Sequence, residues 1–270
     1  MRIGAFNFTE SKILAQLYAQ ALEDAGVPAS IVDDVPTREI MYPALVQRQL
    51  DLVPEYQGTL VRFLSLDSAQ VAAPPRQTHE ELEAKLPSEL EALSFSPGED
   101  KNAIAVTAAT ARELDLRTVG DLAPVAGDMV FGGPPECPSR PFCLRGLSHT
   151  YGITFGEFLA LDTGGPLTVA ALEGGEIDVG LLFSTDARID SEGLVVLRDD
   201  LRLQPADNVS PVAQRAVLDR YGRNARAAVD RVTSSLTTKT LRRLNGQVDL
   251  DALTPERVAA EWLEELGPAR

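Results

Sequence analysis

The chain has 270 residues, 44% hydrophobic and 24% charged, with a formal net charge of −15. That length and balance suit one large or two medium soluble domains with a sizeable core, and exclude a disordered chain. The acidic surplus, with no Lys/Arg-rich run to offset it, argues against phosphate backbones and anionic lipid as partners, and no segment approaches the ~18–20 continuous apolar residues of a membrane span.

The opening third alternates strand and helix. "RIGAF" reads as a strand, and "TESKILAQLYAQALEDAG" follows with Ile13, Leu14, Leu17, Tyr18, Ala21, Leu22 and Ala25 at helical spacing. Thr9 or Ser11 is placed to cap the start of that helix, and Gly26 suits its end. "SIVDD", the helix-like "REIMYPALVQRQ" and an apolar strand from Leu50 that halts at Pro54 before Tyr56 come next. Residues 67–77 read as a loop, and "THEELEAKL" as a helix whose Thr78 and Glu81 are spaced for a capping box. "NAIAVT" opens a second series, with "MVFGG", "FLALD", a helix through "LTVAALEGG", "IDVGLLF" and "LVVLRD". After "NVSPVA" the pattern is helical, with Thr254–Pro255 as a cap and first turn, and Trp262 on the packing face of "ERVAAEWLEEL". Such alternation predicts α/β lobes with largely parallel sheets.

"ALVQRQLDLVPEYQGT" (44–59) lies over "ALEGGEIDVGLLFSTD" (171–186) without a gap, Asp51 meeting Asp178 and Tyr56 meeting Phe183. Chance agreement between two amphipathic units is the plain alternative. Read as a repeat, each lobe holds a helix–turn–strand unit whose strand ends in an aromatic ring. Ligands of α/β proteins bind beyond the carboxyl ends of parallel strands, so Tyr56 and Phe183 are expected to wall a binding site.

The two cysteines, Cys137 and Cys143 in "ECPSRPFC", have no nearby His and make a poor metal site. They are either buried thiols or a local disulfide, which implies an oxidising compartment. Met1 leads straight into the first strand, with no signal segment in this chain; a trimmed or a cytosolic protein would both look so.

The motifs "FNFTES", "LVPEYQGT", "FGGPPECPSRPFCLRGL", "LLFSTD", "NVSPV" and "LNGQVD" resemble, in this order, those of the substrate-binding proteins of osmoprotectant ABC transporters, the glycine betaine, choline and carnitine binders of the quaternary-amine uptake type. The resemblance implies a type II periplasmic-binding-protein fold: two α/β lobes joined by two crossing strands at "NAIAVT" and "NVSPVA", with a ligand cleft between. Residues 1–104 and 211–270 would form one lobe, and 105–210 the other. It further implies an extracytoplasmic receptor, monomeric and without cofactor or metal, whose partners are a small solute and a membrane permease. A same-fold sensor domain is a related reading.

In that family a quaternary ammonium sits among aromatic rings, each worth roughly 0.5–2 kcal/mol of cation–π attraction. Tyr56 matches one such position and Phe183 a second. The remaining two fall at Ala103 and at Asp207 or Asn208, which carry no ring, so Asp207 or Glu136 would have to serve as counter-charge and a larger or more polar solute becomes an alternative to glycine betaine. For a ligand carboxylate, the turn holding Asn7, Thr9 and Glu10 offers a helix N-terminus. Arg38 and Thr59 stand near it. Arg140 lies close to where some family members place a carboxylate-binding arginine, though it can equally brace its loop by pairing with Glu136. Thr185 and Asp186 follow Phe183, and Asn102 and Asn208 sit on the expected crossings. An enzyme would need a nucleophile with its base, a metal cluster or a phosphate loop; His79 and His149 have no partner in sequence, and "GGPPE" lacks a P-loop ending.

Overall fold

The computed structural model describes residues 1–65, 73–162, 164–191 and 193–267. The chain divides into two compact units, Met1–Asp100 with Ala206–Arg270, and Lys101–Pro205.

The first unit begins β1 (Arg2–Phe6), α1 (Thr9–Asp24), β2 (Ser30–Val35), α2 (Arg38–Val46), β3 (Leu52–Tyr56), α3 (Gln57–Leu64), α4 (Pro75–Lys85) and β4 (Leu90–Ala92). The second unit runs β5 (Asn102–Thr107), α5 (Ala108–Glu113), β6 (Val130–Gly133), α6 (Leu144–Tyr151), β7 (Glu157–Ala160), α7 (Pro166–Gly174), β8 (Val179–Phe183), α8 (Arg188–Ser191) and β9 (Leu194–Val196). The chain then completes the first unit with β10 (Val209–Gln214), α9 (Arg215–Ser235), α10 (Thr238–Asp249) and α11 (Pro255–Leu266).

Each unit is built on a five-stranded sheet of the same order, β2-β1-β3-β10-β4 in the first and β7-β6-β8-β5-β9 in the second. In each, three strands run parallel and one, β10 or β5, lies antiparallel to both of its neighbours. That strand is the first one laid down after the chain passes into the unit. In the first unit, side chains alternate across the sheet. Leu52, Tyr56, Val209 and Ala213 face a core with α1 and α9–α11, where Trp262 also packs. Val53 and Val212 face the other side, with Met41, Leu45, Leu60 and Leu82.

The sequence repeat has a structural counterpart. Asp51 and Asp178 each precede a parallel strand, and each carboxylate accepts from the first residue of the neighbouring strand, Arg2 N at 2.7 Å and Val130 N at 2.8 Å. Their own N–H groups donate to the carbonyls of those same residues. The preceding turns match as well: Arg48 and Gly175, equivalent in the overlay, both adopt left-handed backbone, φ 61° and 70°.

Several local expectations are corrected. The strand does not halt at Pro54. Gln57 with Asn208 and Asp51 with Gln214 hold the hydrogen-bonding positions of the β3–β10 ladder, so Pro54 and Pro211, opposite each other, fall where neither strand asks the other for an N–H. Residues 57–59 follow Tyr56 directly as the first residues of α3. Of the expected loop 67–77, residues up to 72 lie outside the described residues, while Pro75 already opens α4. Proline at the first helical position starts that helix earlier than Thr78, whose hydroxyl donates to the Ala73 and Pro74 carbonyls and forms no capping box. Neither Thr9 nor Ser11 caps α1: Thr9 donates to Asp249 at 2.7 Å, Ser11 accepts from Phe6 N, and the cap residue is Phe8. The helices α5 and α6 and the short β4 were not anticipated.

Candidate functional site

In the first unit the carboxyl ends of β1 and β3 deliver Phe6 and Tyr56. Tyr56 is buried, and its hydroxyl donates to Glu10 Oε1 at 2.7 Å. Glu10 is also buried, in the first turn of α1, and its second oxygen accepts from Asn245 Nδ2 at 2.8 Å. Burial, reinforced by the Glu10 charge, pushes the Tyr56 phenol well above its ordinary range, so it stays a donor. The adjoining Asn7 is exposed.

Arg38 opens α2 and forms a fork with buried Glu55, Nε to Oε1 at 3.1 Å and Nη2 to Oε2 at 2.9 Å. It also donates to Thr59 Oγ1 at 3.0 Å and lies 5.7 Å from the centre of the Phe6 ring. Arg38 is therefore not a solvated surface arginine; its carboxylate partner is the chain's own Glu55. Thr59 links this pair to Asp207, whose Oδ1 accepts from Thr59 N at 2.9 Å. Asp207 thus caps α3 from 148 residues away, which is why a strand can pass into a helix at Gln57 without a loop. Desolvation of the buried carboxylate pushes Asp207 up to about 7, against the opposing pull of the α3 N–H groups and Arg38. Asn208, also buried, accepts from Gln57 Nε2 and donates to the Ser96 and Gly98 carbonyls, tying β10 to the outgoing segment. Glu10, Arg38, Tyr56, Thr59, Asp207 and Asn208 thus gather at one end of one sheet.

In the second unit Phe183 ends β8 opposite Asn102 on β5. The left-handed Gly164 (φ 65°) approaches Phe183 so closely that a Cβ there would lie 3.2 Å from its ring and backbone. Asn102 Nδ2 donates to the Phe142 carbonyl at 3.1 Å, as does Gln204 Nε2 at 2.9 Å. Both hold the loop after β6, in which a disulfide joins Cys137 and Cys143 with their Cα atoms 5.2 Å apart. Thiol titration of the denatured, unreduced protein should find no free cysteine; two titrating thiols would refute the bridge. Glu136 and Arg140 form a loose pair at 3.9 Å on this loop, with the Arg140 side chain 67% exposed. Thr185 is buried, and buried Asp186 binds Arg188 in a fork, Oδ1 to Nε at 2.9 Å and Oδ2 to Nη2 at 2.8 Å. Ala103, where the resemblance expects a ring, is an interior residue of β5 paired with Leu182.

The sequence reading missed Glu55, Asn245, Gln204 and Phe8. Asn245 sits in the quoted "LNGQVD" and Phe8 in "FNFTES", so the motifs marked them without assigning a role. Phe8 stacks on Phe6 and tilts against Tyr56, with ring centres 6.1 Å apart in both pairs. The first unit's sheet end therefore combines three rings with buried Glu10, the Arg38–Glu55 pair and buried Asp207; aromatic faces of this kind suit a cation.

Over residues 1–265 the chain matches the family described as the substrate binding domain of ABC-type glycine betaine transport system. A glycine-betaine-binding protein of Pseudomonas aeruginosa is 30% identical, the match covering 98% of this chain and 87% of that protein. The carnitine transport binding protein OpuCC of Listeria monocytogenes is 25% identical over 98% of this chain and 86% of its own length. A crystal structure titled glycine betaine/carnitine/choline ABC transporter superposes with a TM-score of 0.87 at 25% identity, covering 98% of each chain.

Proposed function

We infer the ligand from the family: this chain belongs to the substrate-binding domains of ABC-type glycine betaine transport systems. It has the type II periplasmic-binding-protein fold and is the substrate-binding component of an ABC importer, a transport binding protein that serves a membrane permease. The ligand we propose is glycine betaine or a related compatible solute with a quaternary ammonium group.

The observation that carries this choice is the sheet end of the first unit, where the rings of Phe6, Phe8 and Tyr56 lie together and buried Glu10 accepts from the Tyr56 hydroxyl. Aromatic faces attract a trimethylammonium group, and a carboxylate beside them, here Glu10 against the Tyr56 hydroxyl, adds to that attraction. Taken by itself, the second unit presents the Phe183 ring at the end of β8 and the exposed guanidinium of Arg140, groups whose chemistry suits an ammonium and a carboxylate respectively. The protein acts as a monomer, without catalysis, metal or nucleic acid, on the extracytoplasmic side. The Cys137–Cys143 bridge supports that location, since disulfides persist in oxidising compartments. The absence of rings at Ala103, Asp207 and Asn208 favours one second reading, a larger or more polar solute that needs fewer aromatic contacts.

Calorimetric titration with glycine betaine, choline, carnitine and proline betaine tests the choice. Micromolar binding of at least one is expected, with thermal stabilisation, because a ligand at a hundred times its Kd stabilises the native state by about 2.7 kcal/mol. Silence from all four, in folded protein, would overturn the quaternary-amine reading.

A further inference from the structure

The start of α1 holds a phenylalanine that is half exposed. Its cap residue is Phe8, which has extended backbone (φ −148°, ψ 157°) and no side-chain capping bond. Ser, Thr, Asp and Asn are preferred there because their oxygens satisfy the orphan N–H groups of the first turn, and phenylalanine offers none. A polar candidate is adjacent, but the Thr9 hydroxyl is turned to Asp249. The ring is not used for core packing either. Phe6 and Tyr56 are buried at 6% and 5% exposure, whereas Phe8 is 41% exposed. What sets Phe8 apart is its place, an exposed ring against Phe6 and Tyr56 at the carboxyl ends of β1 and β3.

The surroundings give that place a chemistry. Phe8 is the outermost ring of an ordered stack: Arg38 lies 5.7 Å from the centre of Phe6, Phe6 lies parallel to Phe8 within 12°, and Phe8 leans on Tyr56. The cationic partner of Phe6 is thus already present in the chain, while Phe8 carries the most accessible face of the three. Beside the stack, buried Glu10 accepts from the Tyr56 hydroxyl. An exposed aromatic ring attracts an organic cation.

We propose that Phe8 is a ligand-contacting ring of this receptor, which supplies at the first unit's sheet end part of the cation–π surface that Ala103, Asp207 and Asn208 do not. The assignment rests on the quaternary-amine reading and adds a residue and a role to it. A serine at this position would make a better helix start and a poorer receptor.

The test uses the full chain as wild type, Phe8→Ser and Phe8→Tyr, titrated with choline, glycine betaine and the neutral carbon isostere of choline in which a tert-butyl group replaces trimethylammonium. Phe8→Ser should weaken choline and glycine betaine by about tenfold, within the range of one cation–π contact. It should change binding of the neutral isostere less, and leave the melting temperature unchanged or raised, because serine caps the helix. Phe8→Tyr should bind as wild type. Undiminished affinity in Phe8→Ser, equal losses for the charged and neutral ligands, or a melting temperature several degrees lower would each overturn the proposal, the last by making the ring a packing residue. Failure of the wild type to bind any of these probes would remove the quaternary-amine reading itself, and the role of Phe8 with it.

Discussion

Tyr56→Ala should destabilise the first unit by about 3–5 kcal/mol, the range for truncating a large buried aromatic side chain. The ring is 5% exposed in the core that faces α1 and α9–α11. Its hydroxyl is the donor to Glu10 Oε1, so truncation also strips a buried carboxylate of one of its two named partners. The chain's single tryptophan, Trp262, packs in that same core, so its fluorescence during urea unfolding reports this unit. A shift in the unfolding midpoint equivalent to less than about 0.5 kcal/mol, the scale of a surface substitution, would contradict the packing described. Tyr56→Phe separates the two contributions, since it keeps the ring and removes only the donor, at a cost of about 1–3 kcal/mol. The sizes matter for function as well. A binding loss in Tyr56→Ala mixes lost ligand contact with a damaged unit, whereas the exposed Phe8 can be changed without that penalty.

What the sequence displayed and what it hid divide along a physical line. Period and repetition were legible: the alternation of strands and helices, the helical start at Thr254–Pro255, and the overlay of residues 44–59 on 171–186. That overlay works because Asp51 and Asp178 perform the same bond to the first residue of the adjacent strand, a local requirement that leaves a local trace. The resemblance to osmoprotectant receptors was legible because its motifs are spread over the whole chain in order. Interactions supplied from far along the chain left no such trace. The cap of α3 comes from Asp207, and the partner of Glu10 from Asn245. Arg38 shows the same blindness: in sequence it is one basic residue before a helix, and only the pleat of β3 brings Glu55 to its fork. Phe8 was concealed for the opposite reason, because a capping rule pointed to its neighbour Thr9.

Asp207→Asn should flatten one limb of the pH profile of stability. In the folded chain the Asp207 carboxyl holds its proton to about pH 7, chiefly because it is buried. Unfolded, it releases that proton near 4. Between those values the native state binds more protons than the unfolded one, so this group's contribution falls as pH rises from about 4 to 7 and is constant on either side. The full change is on the order of 4 kcal/mol, since each pH step of one across the window is worth about 1.4 kcal/mol. Asp51 and Asp162, held below the usual carboxylate range by their hydrogen bonds despite partial burial, act with the opposite sign: their stabilisation is lost as pH falls. Both are shared by wild type and variant and cancel in the difference. The charged groups that act most on Asp207 are Arg38 on α2 and Glu55 on β3, and these also remain in the variant, as does the neighbouring Asp100. Asparagine keeps an oxygen to accept from Thr59 N, so α3 stays capped while the titrating proton is removed. Urea unfolding of both proteins at a series of pH values from 4 to 8 reads the difference directly. Wild type should lose stability relative to Asp207→Asn as pH rises toward neutrality, whereas parallel profiles would mean that Asp207 is ionised throughout and that the α3 N–H groups and Arg38 outweigh its burial.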